Sequence, residues 1–258
     1  MNTKSYTEKA AKRISHIKAH ADRDINQPIY LIENNQGNRA GCVMGLSSHA
    51  EANAMYAWFG LHDLEAMRQW CYVAAKLDQM AYQIKSDTIN PGWKTLQLLK
   101  PLLSNNDVLI DWFAHYDQMY DMKRVENHKT HDFWAYQAVL ALRGEWDRLI
   151  ERCEKIIGDP PDANAEKKYL MDHYFYLALA RRDICKMQEV LAQLVTPHPR
   201  VDEGSGFTED LISTTAVVYA KIAWRHGFQV KVDSSYIPAE WLPIEPLIQY
   251  DDHYNFLK

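Results

Sequence analysis

The chain has 258 residues, of which 47% are hydrophobic and 24% charged, and it carries a formal net charge of −5. That composition supports a sizeable core and excludes disorder as the main state, while the acidic balance argues against direct nucleic-acid binding and suits a basic partner. Ten glycines are too few for the turns of a strand-rich fold, so an all-α protein of helices joined by short loops is expected.

Residues 5–23 read as a charged helix with a thin apolar stripe of Ala11, Ile14, Ile17 and Ala21. Six basic residues stand against two acidic ones in residues 1–23, but no apolar run follows, so a signal peptide is not expected. No stretch anywhere is apolar enough to span a bilayer, and the expectation is a cytoplasmic protein. Residues 26–45 are the least helical part: Gln27-Pro28, the run Ile29-Tyr30-Leu31-Ile32, then Asn34, Asn35, Gly37, Asn38 and Gly41 allow a short strand or extended loop. Ser47 or Ser48 is a candidate N-cap, with Glu51 completing a capping box after Ser48, for a helix ending near Gly60. A longer helix is predicted over 62–84, followed by a break at Asn90-Pro91-Gly92, a segment from Trp93 to Pro101, and a helix over 104–122. Helices over 130–142, 145–157, 163–180, 183–194 and 209–227 complete the set.

Three stretches echo one another: 57–64, 141–149 and 177–184 each end an apolar helix in a tight polar turn and begin an amphipathic helix at once. That pattern is the mark of antiparallel αα-hairpins, tetratricopeptide-like in places, although the first is out of phase with the others. The reading is an irregular stack of such hairpins, with an irregular helical bundle as the open alternative. One domain over 1–258 is expected, divided into an N-terminal helix and irregular segment (1–45), a hairpin body (46–228) and an extended C-terminal clasp (229–258). The clasp follows from Pro238, Pro243 and Pro246, which forbid a continuous helix, and from Ile237, Trp241, Leu242 and Leu247, which would anchor in grooves.

Chemistry-bearing motifs are sparse. Cys42, Cys71, Cys153 and Cys185 lack C-x-x-C spacing and read as reduced, buried thiols. His16 and His20 lie one helical turn apart but have no third ligand nearby, so no metal is assigned. Neither G-x-S-x-G nor a glycine-rich phosphate loop is present, and Ser47-Ser48-His49 cannot face one another as nucleophile and base. The chain therefore reads as a binding protein, with no catalytic residue and no cofactor assigned. Its most distinctive stretch is 105–122, which has no Lys or Arg and alternates Asp107, Asp111, Asp117 and Asp121 with Trp112, Phe113, Tyr116 and Tyr120. Carboxylates among aromatics can form a surface aimed at a basic partner, or the aromatics can be core beneath a solvated aspartate face. On one helix, Asp117 and Asp121 would share a face.

The tail run Ile237-Pro238-x-x-Trp241-Leu242-Pro243-x-x-Pro246-Leu247-x-x-Tyr250 resembles the C-terminal end of the immunity protein 49 family of bacterial polymorphic-toxin systems. Residues 56–77, the turn at 141–149, and the helix ending Ala223-Trp224-Arg225-His226-Gly227 agree with it in style, so the resemblance would extend from about residue 50 onward. It implies an all-α antidote that binds and neutralises a cognate toxin delivered between competing bacteria, including secretion-system effectors. A basic nuclease would be a natural electrostatic partner, met by Asp107, Asp111, Trp112, Tyr116, Asp117, Tyr120 and Asp121 together with Glu203, Glu209 and Asp210. The competing readings are a tetratricopeptide-like scaffold that binds a peptide, and a helical enzyme whose residues converge from distant helices.

Overall fold

The fold is taken from a computed structural model, which describes residues 3–85, 91–162, 167–196 and 206–258. Among these residues the regular elements are helical and none is a strand. Helices α1 (Thr3–Ala21) and α2 (Asn26–Glu33) lead into the long pair α3 (Arg39–Phe59) and α4 (Leu64–Ile84). Short helices α5 (Pro91–Gln97), α6 (Leu99–Ser104), α7 (Asp107–His115) and α8 (Met122–Val125) follow. Then come α9 (His131–Arg143), α10 (Trp146–Gly158), α11 (Leu170–Ala180), α12 (Ile184–Val195) and α13 (Thr214–Arg225).

Small residues explain the closest pairing. Ala50, Ala54 and Ala57 of α3 are buried at successive helical turns, and Cys71, Ala74 and Ala75 of α4 are fully buried, which lets the two helices lie against each other. The three sequence echoes are three tight helix–helix turns. Each contains one left-handed residue: His62 (φ 56), Gly144 (φ 69) and Arg182 (φ 60). The amide of Glu145 donates to Leu140 O (3.0 Å) and that of Asp183 to Ala178 O (2.9 Å), the bond that ends a helix in a Schellman motif. Asp63 and Asp183 then cap the returning helices by accepting from Ala66 N and Lys186 N. Gly144 takes its conformation freely, whereas His62 and Arg182 carry a steric cost of about 1–2 kcal/mol each.

Several expectations are corrected. Residues 26–45 hold no strand: Pro28 sits in the first turn of α2, where its missing N–H costs nothing, and Asn38 caps α3 by accepting from Gly41 N (3.1 Å). Ser47 and Ser48 are consequently inside α3 and cap nothing; Ser47 is buried and donates to Asp78 (2.5 Å). The last helix begins at Thr214, capped by Ser213, because residues 206–211 form turns and Asp210 is left-handed. Of the predicted helix over 163–180, residues 163–166 lie outside the described ones, as does most of the Thr196-Pro197-His198-Pro199 break. Cys71 and Cys153 are buried as expected, but Cys42 is partly exposed and Cys185 exposed, since it follows the N-cap of α12 on the outer face. All four thiols are free.

Residues 229–258 contain no α-helix, only single 3-10 turns at Ala239–Trp241 and Asn255–Leu257. Trp241 is 1% exposed and packs edge-on against Trp58 and Phe59 at the end of α3. Ile237 and Leu242 are buried beside it, while Leu247 is only partly covered. The polar counterpart of this anchor is Lys221, a fully buried lysine of α13. Its ammonium donates to Asn105 Oδ1 (2.6 Å) and to the carbonyls of Leu242 (3.3 Å) and Pro243 (3.2 Å). Asn105 in turn donates to the carbonyls of Pro243 (3.3 Å) and Glu245 (3.1 Å), and Tyr250 closes the loop by donating to Ser104 O (2.7 Å). Farther along, Gln69 exchanges hydrogen bonds with the backbone of Asp251, and Asp252 meets Tyr72 and Lys76 of α4.

Burial, reinforced by repulsion from Arg68 and Arg225, pushes the Lys221 ammonium down to about 7. A lysine with a depressed folded-state value opposes folding most when protonated, so its cost is full below about 7 and fades as pH rises toward the unfolded value of about 10.4. Comparison of wild type with Lys221→Met by urea denaturation isolates this term. Between about pH 7 and pH 8.5 the wild type should gain up to about 2 kcal/mol relative to the variant; parallel pH profiles would contradict the assignment. Trp241→Ala should cost about 3–5 kcal/mol and render residues 229–258 sensitive to limited proteolysis.

Candidate partner-binding surface

The acidic and aromatic stretch is built outward from Asn105, the same residue that holds the tail. Asn105 is left-handed (φ 56) and ends α6, and Asn106 opens α7 by accepting from Leu109 N (3.0 Å). Leu109, Ile110, Phe113 and Ala114 face the core. The opposite face presents Asp107, Val108 and Asp111, each about three-quarters exposed. Asp107 accepts from Arg225 Nη2 (2.9 Å) at the end of α13, and Asp111 lies 3.1 Å from His115 Nδ1. Trp112 and Tyr116 stack on each other with ring centroids 4.4 Å apart and remain partly exposed. The face thus combines charge, a bare aliphatic group and two aromatic edges on an element pinned at its first residue.

The helix expected over 104–122 is broken. α7 ends at His115, Tyr116 turns the chain, and Asp117–Met119 forms a single 3-10 turn. Asp117 is held by α9, accepting from Tyr136 Oη (2.9 Å) and Arg143 Nη2 (2.6 Å). Asp121 is exposed and caps α8, accepting from Lys123 N (3.0 Å) and Arg124 N (3.4 Å). The two aspartates therefore do not share a helical face: a cap satisfies Asp121 better than a helix interior could, and the Arg143 pair fixes Asp117. Tyr120 is buried edge-on against Tyr136, so it supports the surface from beneath. Its phenol is pushed well above the usual range by that burial.

Glu209 and Asp210 sit elsewhere in the contact network, both paired with Arg13 of α1 at 2.6 Å and 3.6 Å. No hydrogen bond or ion pair among the described residues joins them to the α7 face. Glu203 lies outside the described residues. His20 packs against Phe207 and His16 lies further from the same ring. No group of His, Cys, Asp or Glu among the described residues could hold a metal ion, and no helix among them is long and apolar enough to cross a membrane. Val108 and Arg225 were missed by sequence reasoning; a valine in the first turn of a helix carries no signal of exposure until the helix is placed.

A second polar centre stabilises the region behind this surface. Arg152 of α10 is buried with its guanidinium 3.8 Å from the Phe133 ring centroid, and it donates to Gln137 Oε1 and to the carbonyls of Val125 and Phe133. Nearby, His173 accepts a place against Gln137 (3.3 Å), and its burial pushes the imidazole down to about 3, so it is neutral.

No curated protein and no solved structure gives a significant match to the chain. The family model described as Immunity protein 49 matches residues 122–241, slightly less than half of the chain. This span is narrower than the one expected from about residue 50, since it begins at α8 and stops at Trp241, within the tail motif. Over α8 to α13 and the first half of the tail, the chain is therefore similar to Immunity protein 49.

Proposed function

We propose that this chain is an immunity protein that acts by binding and neutralising a cognate toxin domain, without catalysis of its own, in the cytoplasm of the cell that makes it. The observation that carries this reading is the match of residues 122–241 to Immunity protein 49. A toxin delivered by a polymorphic or secretion-system effector in competition between bacteria is the partner that fits. The net charge of −5 and the Asp107, Asp111 and Val108 face favour a basic toxin. A nuclease is the toxin class best matched to that charge, because it must itself attract phosphate.

In this reading Asp107 and Asp111 steer encounter, while Val108, Trp112 and Tyr116 supply area that is covered on binding. Asp117, Tyr120 and Asp121 follow α7 in the chain and would extend the contact; the structural bonds of the two aspartates to Arg143 and to the α8 amides make them poorer sites for charge reversal. Glu203, Glu209 and Asp210 would form a separate acidic contact if the toxin reaches that far.

The test starts from gene order: where a toxin or secretion-system gene stands immediately upstream, its C-terminal domain is the probe. Co-expression with the wild-type chain should restore growth. Asp107→Lys with Asp111→Lys should slow association about tenfold or more at low salt, with the difference shrinking as salt screens it. Association unchanged by the double substitution would move the interface off α7; no complex with any neighbouring toxin domain would overturn the antidote reading itself.

A further inference from the structure

Ser47, Glu51, Asp78 and Lys100 converge from α3, α4 and α6 on a cavity of about 260 Å³, whose wall also includes Ser48 and Gln97. The Lys100 ammonium lies 2.5 Å from Asp78 and 3.5 Å from Glu51, and it donates to Ser47 Oγ (3.2 Å). Ser47 donates its own hydroxyl to Asp78 Oδ1 (2.5 Å). Serine beside lysine is thus no nucleophile and base here: the hydroxyl hydrogen is engaged by a carboxylate, and two carboxylates hold the ammonium protonated.

The cavity is out of balance in a definite direction. One cation faces two carboxylates, leaving one negative charge in a largely buried wall. Asp78 accepts from Ser47 through Oδ1 and pairs closely with Lys100 through Oδ2, but Glu51 has only the longer approach to Lys100, and its burial raises the carboxyl toward the neutral form. Gln97 Oε1 is sealed from solvent without a hydrogen-bond partner among the described residues. Both deficits call for donors, and one calls for positive charge as well. A metal ion does not fit, because the Lys100 ammonium already stands between the carboxylates. The remaining lining includes Met44, Ala81 and Leu96, suited to a short aliphatic stem.

We propose that this cavity is a binding site for one organic cation, an alkylammonium or alkylguanidinium group, whose N–H donors meet Glu51 and Gln97. The proposal is independent of the toxin-binding reading. The probes are n-butylammonium and n-butylguanidinium, titrated into the full isotopically labelled chain and followed by NMR. Two controls separate the requirements: tetramethylammonium has the charge without N–H donors, and n-butanol has a donor without the charge.

Saturable shifts at the Gln97 side-chain amide with either probe are expected, with much weaker responses to both controls. Glu51→Gln should weaken binding about tenfold or more, whereas Glu65→Gln, an exposed carboxylate at the start of α4, should leave it unchanged. Ser48→Trp, which fills the cavity without altering its charge, should abolish binding in a chain whose spectrum stays dispersed. A capped arginine tripeptide added in parallel distinguishes sources: tighter binding than butylguanidinium assigns the site to a polypeptide side chain, and weaker binding to a free amine. Absence of saturable shifts up to millimolar concentrations, or equal affinity in Glu51→Gln and wild type, would overturn the proposal.

Discussion

A buried lysine with no carboxylate in ion-pair range among the described residues is an expensive object, and Lys221 is tolerated because its ammonium is the point where three parts of the chain meet. It bonds the loop after α6 through Asn105 and the tail through the carbonyls of Leu242 and Pro243. Removing it would orphan acceptors that the fold has already taken from water, each at a cost of about 1–3 kcal/mol. The tail cannot supply these bonds itself, since prolines at 238, 243 and 246 prevent it from forming a helix. The carbonyls of Leu242, Pro243 and Glu245 therefore depend on side chains of the helical body, and Trp241 gives the same junction its apolar half.

Lys221 and Lys100 show how context decides the behaviour of one residue type. Both are buried. Two carboxylates beside Lys100 outweigh its desolvation and hold it charged, whereas Lys221 meets only neutral acceptors and has two arginines in its field, so its proton is weakly held. The first arrangement leaves a surplus of negative charge at a cavity. The second ties the tail to Asn105, and through Asn105 sets where α7 begins. The exposed Asp107, Val108 and Asp111 face inherits its position from that tie, with the Asp107–Arg225 pair as a second link to α13.

Helical class and most helix ends were legible because they depend on local chemistry. Asp63, Thr130 and Asp183 cap where their residue types suggest, and the three echoes at 57–64, 141–149 and 177–184 are real turns. Misreadings arose where a polar residue serves tertiary structure while imitating a local signal. Ser48 and Glu51 look like a capping box, yet Ser47 and Glu51 face Asp78 and Lys100 from inside a helix that Asn38 had already started. Asp117 and Asp121 look like one helical face, but an arginine from α9 and a cap divide them. Lys221 lies in the apolar run Ala216-Val217-Val218-Tyr219-Ala220-Lys221-Ile222-Ala223 and was not singled out from the sequence. Its partners, 116 residues upstream and about 20 downstream, could not be read from periodicity.

The tail is an integral part of the helical body, held by Lys221, Asn105 and Trp241. Native-state hydrogen exchange reads this at the amides of Trp241 and Leu242, which donate to Pro238 O and Ala239 O, alongside those in the middle of α13. If Lys221 and Trp241 make one cooperative unit, the two sets should share the same opening free energy and the same dependence on added denaturant. Tail amides that exchange through a low-energy, denaturant-insensitive opening while α13 stays protected would contradict it.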